Sequence, residues 1–378
     1  MLDAALPVTP ARPTMPASLA DRVFALRDRL VASPRFRALA AALPLTRPVA
    51  RRRTRALFDL CAGFVYSQVL HACVELRLFD LLAEGPQTLE ALAPRLALPL
   101  PGAERLLLAA VSLRLVAHRG RGRFGLGPLG AAIVGNTGIE QMVLHHRMLY
   151  ADLADPVALL RGEVGTTALS GYWAYGADAA ASAAYTALMA ASQPLVAGEI
   201  LAAYDLRRHR RLLDVGGGDG SFLTAVAARS PGLELRLFDL PPVAARASER
   251  FAADGLATRA AAAGGDFLAD PLPGGADIVS LVRVIHDHDD PAAQRILQAA
   301  YQALPPGGTL LLAEPLSGTA GAEPVGDAYF GFYLMAMGRG RTRTPAELTA
   351  LLHGCGFRRV RQHPTRTPLL VGVLTARK

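Results

Sequence analysis

Lysine is almost absent from this 378-residue chain: Lys378 is the single one among 40 basic residues, so the positive charge is carried by arginine. Cysteine is scarce as well. Cys61, Cys73 and Cys355 are odd in number and far apart, with no Cys-x-x-Cys pair. That excludes a disulfide framework and points to a reducing, cytoplasmic setting with buried, inert thiols. No apolar run approaches the ~18 uncharged residues that crossing a bilayer requires. The opening MLDAALPVTPARPTMPASLADR places prolines and an early acid where a basic region and an apolar stretch would signal secretion, so no signal peptide is expected.

What is present is apolar mass and arginine. With 51% apolar residues, the length suggests two domains, each able to bury a core. The net charge is +8, and an arginine bias of this kind reflects genome composition as much as function. The cluster Arg51, Arg52, Arg53 and Arg55 is more specific. It is either the solvated start of a helix or a contact for a polyanion, nucleic acid or an anionic membrane surface.

Residues 1–50 form a Pro/Ala/Arg-rich extension with one amphipathic stretch, Asp21 to Leu30. A helical pattern occupies 56–83, with Leu57, Leu60, Phe64, Val69, Cys73 and Leu76 at helical spacing, and Gly85-Pro86 stops it. Between 87 and 128 the order is helix, turn, helix, hairpin, the outline of a winged helix. The second helix reads AERLLLAAVSL. It offers a base edge little beyond Glu104 and Arg105, so a protein-contact or substrate-lining role is expected and nucleic acid is not. Helices continue to about 200, punctuated by Tyr150, Tyr172, Trp173, Tyr175 and Tyr185. From 201 to 378 short apolar runs alternate with helical stretches, which predicts a parallel, doubly wound α/β sheet behind the helical 51–200 region.

The first of those runs is LLDVGGGDGS. Its glycines permit a tight turn and close approach to a ligand. A dinucleotide fingerprint would need glycine at Ser221. Asp214, Gly216, Gly218 and Gly220 instead satisfy acid-x-G-x-G-x-G, which suits a nucleoside cofactor without pyrophosphate. The next run ends at Asp239-Leu240, where an acid accepts both ribose hydroxyls. Gly265-Asp266-Phe267 follows, an acid for an adenine amine and a ring to cover its face. The alternatives are that Asp239 caps a helix and Asp266 sits in a turn.

The fourth run ends in Arg283-Val284-Ile285-His286-Asp287-His288-Asp289-Asp290. Ligands bind at the carboxyl ends of parallel strands, so His286 faces the glycine loop. Group transfer to a hydroxyl needs alignment and a proton acceptor, and histidine suits the second task near neutral pH. Glu314, ending the fifth run, is the expected partner for its other nitrogen. Consecutive ligands on one loop rarely converge on one ion, so no metal is expected. The acids are read as openers of the helix that begins at Asp290-Pro291.

Together these segments resemble the small-molecule O-methyltransferases that include the caffeate and acetylserotonin enzymes, over roughly residues 56–375. The family's DVGGG-x-G, FDLP, GDF, HDW and AE segments stand here as Asp214–Gly220, Phe238–Pro241, Gly265–Phe267, His286–His288 and Ala313-Glu314. The resemblance implies a Rossmann-like domain binding S-adenosylmethionine through Asp214, Gly216, Gly218, Gly220, Asp239, Leu240, Asp266, Phe267 and Arg283. It also implies catalysis by His286 and Glu314, and a winged-helix domain that forms homodimers. His288 departs from the usual tryptophan, and Thr342 stands where plant members place a second supporting glutamate. Three segments, FVYSQVLHACVELRLFDLLAEGPQT, AAYTALMAASQPLVAGEILAAYD and AYFGFYLMAMGRGRTRTPAE, are similar to bacterial carotenoid methyltransferases. That similarity implies methylation of the tertiary hydroxyl of an acyclic hydroxycarotenoid at the inner face of a photosynthetic membrane. Arg51–Arg55 would be the membrane contact. For the acceptor pocket, Tyr329–Met337 and His145–Met148 are the candidates, with domain or dimer core as the alternative.

Overall fold

The computed structural model describes residues 18–172 and 179–378, with side chains described up to 172 and from 190. The expected aromatic positions Trp173, Tyr175 and Tyr185 lie outside the described side chains. Contacts divide the chain into Met1–Val69 and Leu70–Lys378.

In the first unit, α1 (Leu19–Ala32) starts at a capping box. Ser18 Oγ accepts from the Asp21 N–H, and the Asp21 carboxylate accepts from the Ser18 N–H. Ser33 and Pro34 open α2 (Pro34–Ala42). Neither helix contains a buried residue. The third helix, α3 (Arg47–Glu75), merges the Arg cluster with the apolar pattern that follows it. An 18-residue window within it has mean hydropathy 1.4, so α3 is long and apolar enough to cross a membrane by length and composition. This corrects the expectation that no stretch comes close, because one aspartate does not interrupt a helix as it interrupts an uncharged run. Cys61, expected to be buried, is exposed on α3, whereas Cys73 and Cys355 are buried as expected. Burial pushes the Cys73 thiol up to about 12.

The second unit begins with the last turns of α3, where His71, Cys73 and Val74 are buried. The helical pattern read across 56–83 breaks at Arg77, in the left-handed region at φ 54°, and restarts as α4 (Leu78–Ala83). The winged-helix outline follows: β1 (Gln87–Thr88), α5 (Leu89–Arg95), α6 (Leu100–Ser112), β2 (Val116–Arg119) and β3 (Arg123–Leu126), with strand order β1-β3-β2. The Thr88 hydroxyl caps α5. Ala103, Leu107 and Ala110 of α6 are buried at helical spacing, so this helix is a core element. Five helices come next: α7 (Pro128–Ala131), α8 (Thr137–Asp152), α9 (Pro156–Leu160), α10 (Ala168–Tyr172) and the long α11 (Ala179–Ala203).

Beyond them β4 (Arg211–Val215), α12 (Ser221–Arg229), β5 (Glu234–Asp239), α13 (Pro241–Ala253), β6 (Ala260–Gly264), β7 (Ile278–Val282), α14 (Asp290–Ala303) and β8 (Thr309–Glu314) alternate as expected except between β6 and β7, which a loop joins without a helix. After β8 come α15 (Gly331–Met337), α16 (Pro345–Gly354), β9 (Arg358–His363) and β10 (Gly372–Arg377). The sheet order is β6-β5-β4-β7-β8-β10-β9. Pairing is parallel from β6 to β8, while β10 runs antiparallel to both neighbours and adds a hairpin at one edge. Every residue of β7 and β8 is buried, the continuous apolar pattern of strands covered on both faces. α14 covers one face through Ala293, Ile296, Leu297 and Ala300, each at 0% exposure, and each Leu or Ile so placed contributes about 1.5–3 kcal/mol. Chain order reverses between β4 and β7, which opens a crevice at their carboxyl ends.

Candidate active site at the switch point

The glycine loop leaves β4 into that crevice. Gly216 has φ 69°, and a Cβ there would lie 2.8 Å from Val284 Cγ2. Gly220 has φ 82°, and a Cβ there would lie 2.6 Å from the Phe251 ring. Both the left-handed backbone and the close packing therefore require glycine. Asp214, Gly216, Gly218, Asp239, Leu240, Asp266, Phe267 and Arg283 all line one cavity of about 330 Å³, a volume suited to a small cofactor. Gly220 sits behind it as the N-cap of α12.

Asp214 is 1% exposed, and its Oδ1 accepts from Ser280 Oγ at 2.6 Å. Its Oδ2 is buried without a partner. Burial, opposed by the Ser280 hydrogen bond and aided by the nearby Asp239, raises this carboxyl to about 7. A buried carboxylate oxygen left unsatisfied in a ligand-sized cavity calls for a donor or cation from the ligand. The residues therefore fit S-adenosylmethionine, which carries an ammonium and hydroxyl donors. Asp239 Oδ2 accepts from the Gly218 N–H at 2.8 Å, and Oδ1 from the Leu240 N–H at 2.7 Å. These bonds aim the carboxylate across the loop and leave lone pairs free to accept further hydrogen bonds. Burial still pushes it up to about 6. Asp266 Oδ1 accepts from the Leu268 N–H, a turn contact that coexists with its place on the cavity wall.

Arg283 sits just past β7 in the left-handed region, φ 57°, a conformation uncommon for a non-glycine residue. Its N–H donates to Ala313 O at 2.8 Å, and its guanidinium donates to Ser192 Oγ at 2.8 Å and Gln193 Oε1 at 2.5 Å on α11. The side chain thus ties α11 to the cavity rim, a function unreadable from sequence because its partners lie some ninety residues away.

His286 lies beyond the strand end, in a single 3-10 turn, Ile285–Asp287. Its Nδ1 is 2.6 Å from Glu314 Oε2. Glu314 Oε1 accepts from the backbone N–H groups of Val284 at 3.0 Å and Ile285 at 2.7 Å, so one buried carboxylate holds both the turn and the ring. The other ring nitrogen, Nε2, is 3.1 Å from Asp287 Oδ1. Asp287 is 6% exposed. The expectation that these acids only open a helix is corrected for Asp287, which faces His286, while Asp289 is the N-cap of α14 and Asp290 lies in its first turn. Burial opposes charge on His286, but Asp287 and Glu314 outweigh it and raise the imidazole above its ordinary value. Burial likewise raises Asp287. Phe330 stands edge-on to His286, 5.9 Å between centroids.

The two departures have structural answers. His288 packs edge-on to Phe267 at 5.6 Å and 89°, and burial, aided by Arg339, lowers it to about 4. It is a neutral aromatic ring at physiological pH, standing where a tryptophan is usual. Thr342 Oγ1 accepts from Ser317 Oγ at 2.7 Å and donates to Gly326 O at 3.2 Å, away from His286. The neighbouring residues hold the Ile285–Asp287 turn instead. Arg343, 2% exposed, donates to Ile285 O, His288 O and Asp290 Oδ1 at 2.7–2.9 Å. At Gly340, φ 83°, a Cβ would collide with His286 O. Both residues reach the turn from more than fifty positions away, a separation that sequence spacing does not reveal.

The aromatic stretch and the histidine pair meet. His145 Nε2 is hydrogen-bonded to the Tyr333 hydroxyl and His146 Nε2 to the Tyr329 hydroxyl, both at 2.7 Å. Tyr333 lies in a buried cluster with Leu149, Leu159 and Leu169. Among the described residues, no group of three or more His, Cys, Asp or Glu is arranged to hold a metal ion.

Comparison with known proteins agrees with this geometry. Residues 150–358 match the O-methyltransferase domain, and 58–136 match the O-methyltransferase dimerisation domain. The demethylspheroidene O-methyltransferase of Cereibacter sphaeroides is 45% identical over 92% of this chain and 93% of its own length. That of Rhodobacter capsulatus is 42% identical over 93% and 88%. Human N-acetylserotonin methyltransferase, solved in complex with SAM, superposes with a TM-score of 0.72 at 28% identity, covering 86% of this chain and 97% of its own. The chain belongs to the O-methyltransferase family, with that family's dimerisation domain preceding the methyltransferase domain.

Proposed function

We propose that this enzyme, acting as a homodimer, transfers the methyl group of S-adenosylmethionine to the tertiary hydroxyl of an acyclic hydroxycarotenoid, with His286 as general base. The identity to the two demethylspheroidene enzymes along nearly the whole chain supports the substrate class. The observation that carries the chemistry is the 2.6 Å contact between His286 Nδ1 and Glu314, in a turn whose next residues, Asp287 and His288, line the cofactor cavity.

Bound S-adenosylmethionine supplies an electrophilic methyl on a good leaving group. Asp214 Oδ2 and the glycine loop take its amino-acid end, Asp239 takes the ribose, and Asp266 and Phe267 take the adenine. Glu314 fixes the imidazole through Nδ1, and Nε2 receives the hydroxyl proton once the acceptor hydroxyl replaces its 3.1 Å contact with Asp287 Oδ1. Asp287 stabilises the imidazolium that results. A tertiary alcohol is far less acidic than a phenol at ~10, so proton removal accompanies or follows methyl transfer. Phe330 shields the ring from water. A long apolar acceptor resides in a bilayer, so the enzyme works at the cytoplasmic face of a membrane, where Arg51–Arg55 meet anionic headgroups.

The test is transfer of labelled methyl from S-adenosylmethionine, without added metal, to an acyclic hydroxycarotenoid in liposomes and to a panel of phenols. Label on the carotenoid alone is expected. Label on phenols alone would discard the carotenoid assignment, and absence of label on both would redirect the search to tetrapyrroles and polyketides.

A further inference from the structure

Residues 18–56 contain ten arginines (Arg22, Arg27, Arg29, Arg35, Arg37, Arg47, Arg51, Arg52, Arg53 and Arg55) and two acids, Asp21 and Asp28, a net charge of 10 − 2 = +8. The whole chain carries +8. All other residues therefore sum to zero, with 40 − 10 = 30 basic and 32 − 2 = 30 acidic groups. A genome-wide arginine bias would spread the excess along the chain; here it is confined to one segment.

The same segment exposes its apolar side chains. On α1, Leu19 is 80% exposed, Val23 59%, Leu26 61% and Leu30 44%, spaced to form one stripe along the helix. Arg22 and Arg29 flank that stripe, and Asp21 and Asp28 fall on the far side. Phe36 and Leu39 of α2, and Leu43 and Leu45 after it, are also exposed. The segment ends before residue 58, where the dimerisation domain begins.

We infer that Ser18–Ala56 is a surface anchor for an anionic lipid bilayer, in which α1 and α2 lie in the headgroup region with Leu and Phe side chains inserted and the arginines on phosphates. Two separate attractions act at once, apolar insertion and charge, and such pairing is what makes peripheral binding stable. Nucleic acid would satisfy the arginines but leave the leucine stripe in water, and a second copy of the chain would cover the stripe but bring +8 against +8. Only an anionic bilayer answers both features. The inference deepens the reading of a membrane-borne acceptor, extending the contact from Arg51–Arg55 to a two-helix element.

The full-length protein is tested by sedimentation with vesicles that contain no carotenoid, so the result does not depend on the acceptor assignment. Vesicles of phosphatidylcholine are compared with mixtures containing phosphatidylglycerol, at low and high salt, and a duplex oligonucleotide is run in parallel. Strong binding to anionic vesicles is expected, reduced by salt and weak on phosphatidylcholine alone. Replacing Arg51, Arg52, Arg53 and Arg55 with Gln is expected to weaken it by roughly several hundredfold, since each arginine at the surface changes partitioning about fivefold. Leu19→Ser with Val23→Ser and Leu26→Ser is expected to weaken it at least about tenfold while charge stays constant. Affinity for S-adenosylmethionine should be unchanged in both variants, which shows that the second unit is folded. Equal binding to neutral vesicles, no vesicle binding, binding to the oligonucleotide alone, or a higher oligomer that the Leu variant dissociates without any vesicle binding would each overturn the inference.

Discussion

The cleft between β4 and β7 and the N-terminal helices α1 and α2 treat charge in opposite ways. In the cleft, acids are taken out of water and each is held by short contacts: Asp214 by Ser280, Asp239 by two backbone N–H groups, Glu314 by His286 and two more. In α1 and α2 no residue is buried, and the charge is a field of arginines in water. Buried charges act by geometry, so single changes there have large and specific effects. Exposed charges act by their sum, so single changes have small ones.

That contrast can be broken, beginning where the largest effect is expected. His286→Ala should lower kcat by about 10²–10⁴ while affinity for S-adenosylmethionine, measured by calorimetry, stays within about twofold. Loss of cofactor binding with kcat retained would mean that His286 is structural. Arg343→Ala should cost about 2–3 kcal/mol of stability, because the Ile285 and His288 carbonyls lose their buried donor, whereas Asp290 keeps Arg341. It should also depress kcat more than it changes KM, and Arg343→Lys should restore stability only in part, since an ammonium cannot span the same three acceptors. Asp239→Ala should weaken cofactor binding by roughly tenfold to a hundredfold with kcat at saturation largely kept. The reverse split would remove Asp239 from the cofactor.

The pH dependence sharpens the same contrast. The proposed base, His286, must be neutral to accept a proton, and Asp287 and Glu314 raise it against the opposing effect of burial. The ascending limb of kcat is therefore expected at a pH above the ordinary histidine value of ~6.5. The raised value also means that the contribution of His286 to stability is fully present below its unfolded pKa, and fades as pH rises through the folded one. An Asp287→Asn variant should move the limb down; an unchanged limb would detach Asp287 from the base. The smallest effect is expected in the exposed region. Leu26→Ser, measured by denaturant unfolding, should change stability by under ~0.5 kcal/mol, whereas Leu213→Ala in β4 should cost about 2–5 kcal/mol.

Much of the cleft was legible because its chemistry is local. The spacing of Asp214, Gly216, Gly218 and Gly220 requires a turn that only glycine can make, and Asp239 and Glu314 each end a strand whose apolar pattern marks its limits. Asp287 was misread because three acids stand within four residues of sequence, and the one that faces His286 is selected by the 3-10 turn. Arg283 and Arg343 were opaque in a different way: their partners are about 90 and 55 residues distant.

By itself, the sequence determined the alternation of strands and helices, the glycine loop, the acids at strand ends and the concentration of positive charge before residue 57. All of these depend on periodicity, backbone freedom or composition, which act over a few residues. Only the tertiary structure decided which ring nitrogen faces Glu314, that Asp214 keeps a carboxylate oxygen unpaired, that Thr342 turns away while Arg343 clamps the Ile285–Asp287 turn, and that the leucines of α1 are exposed among the described residues. Those outcomes depend on which distant segments the sheet order brings together and which surfaces it leaves in water.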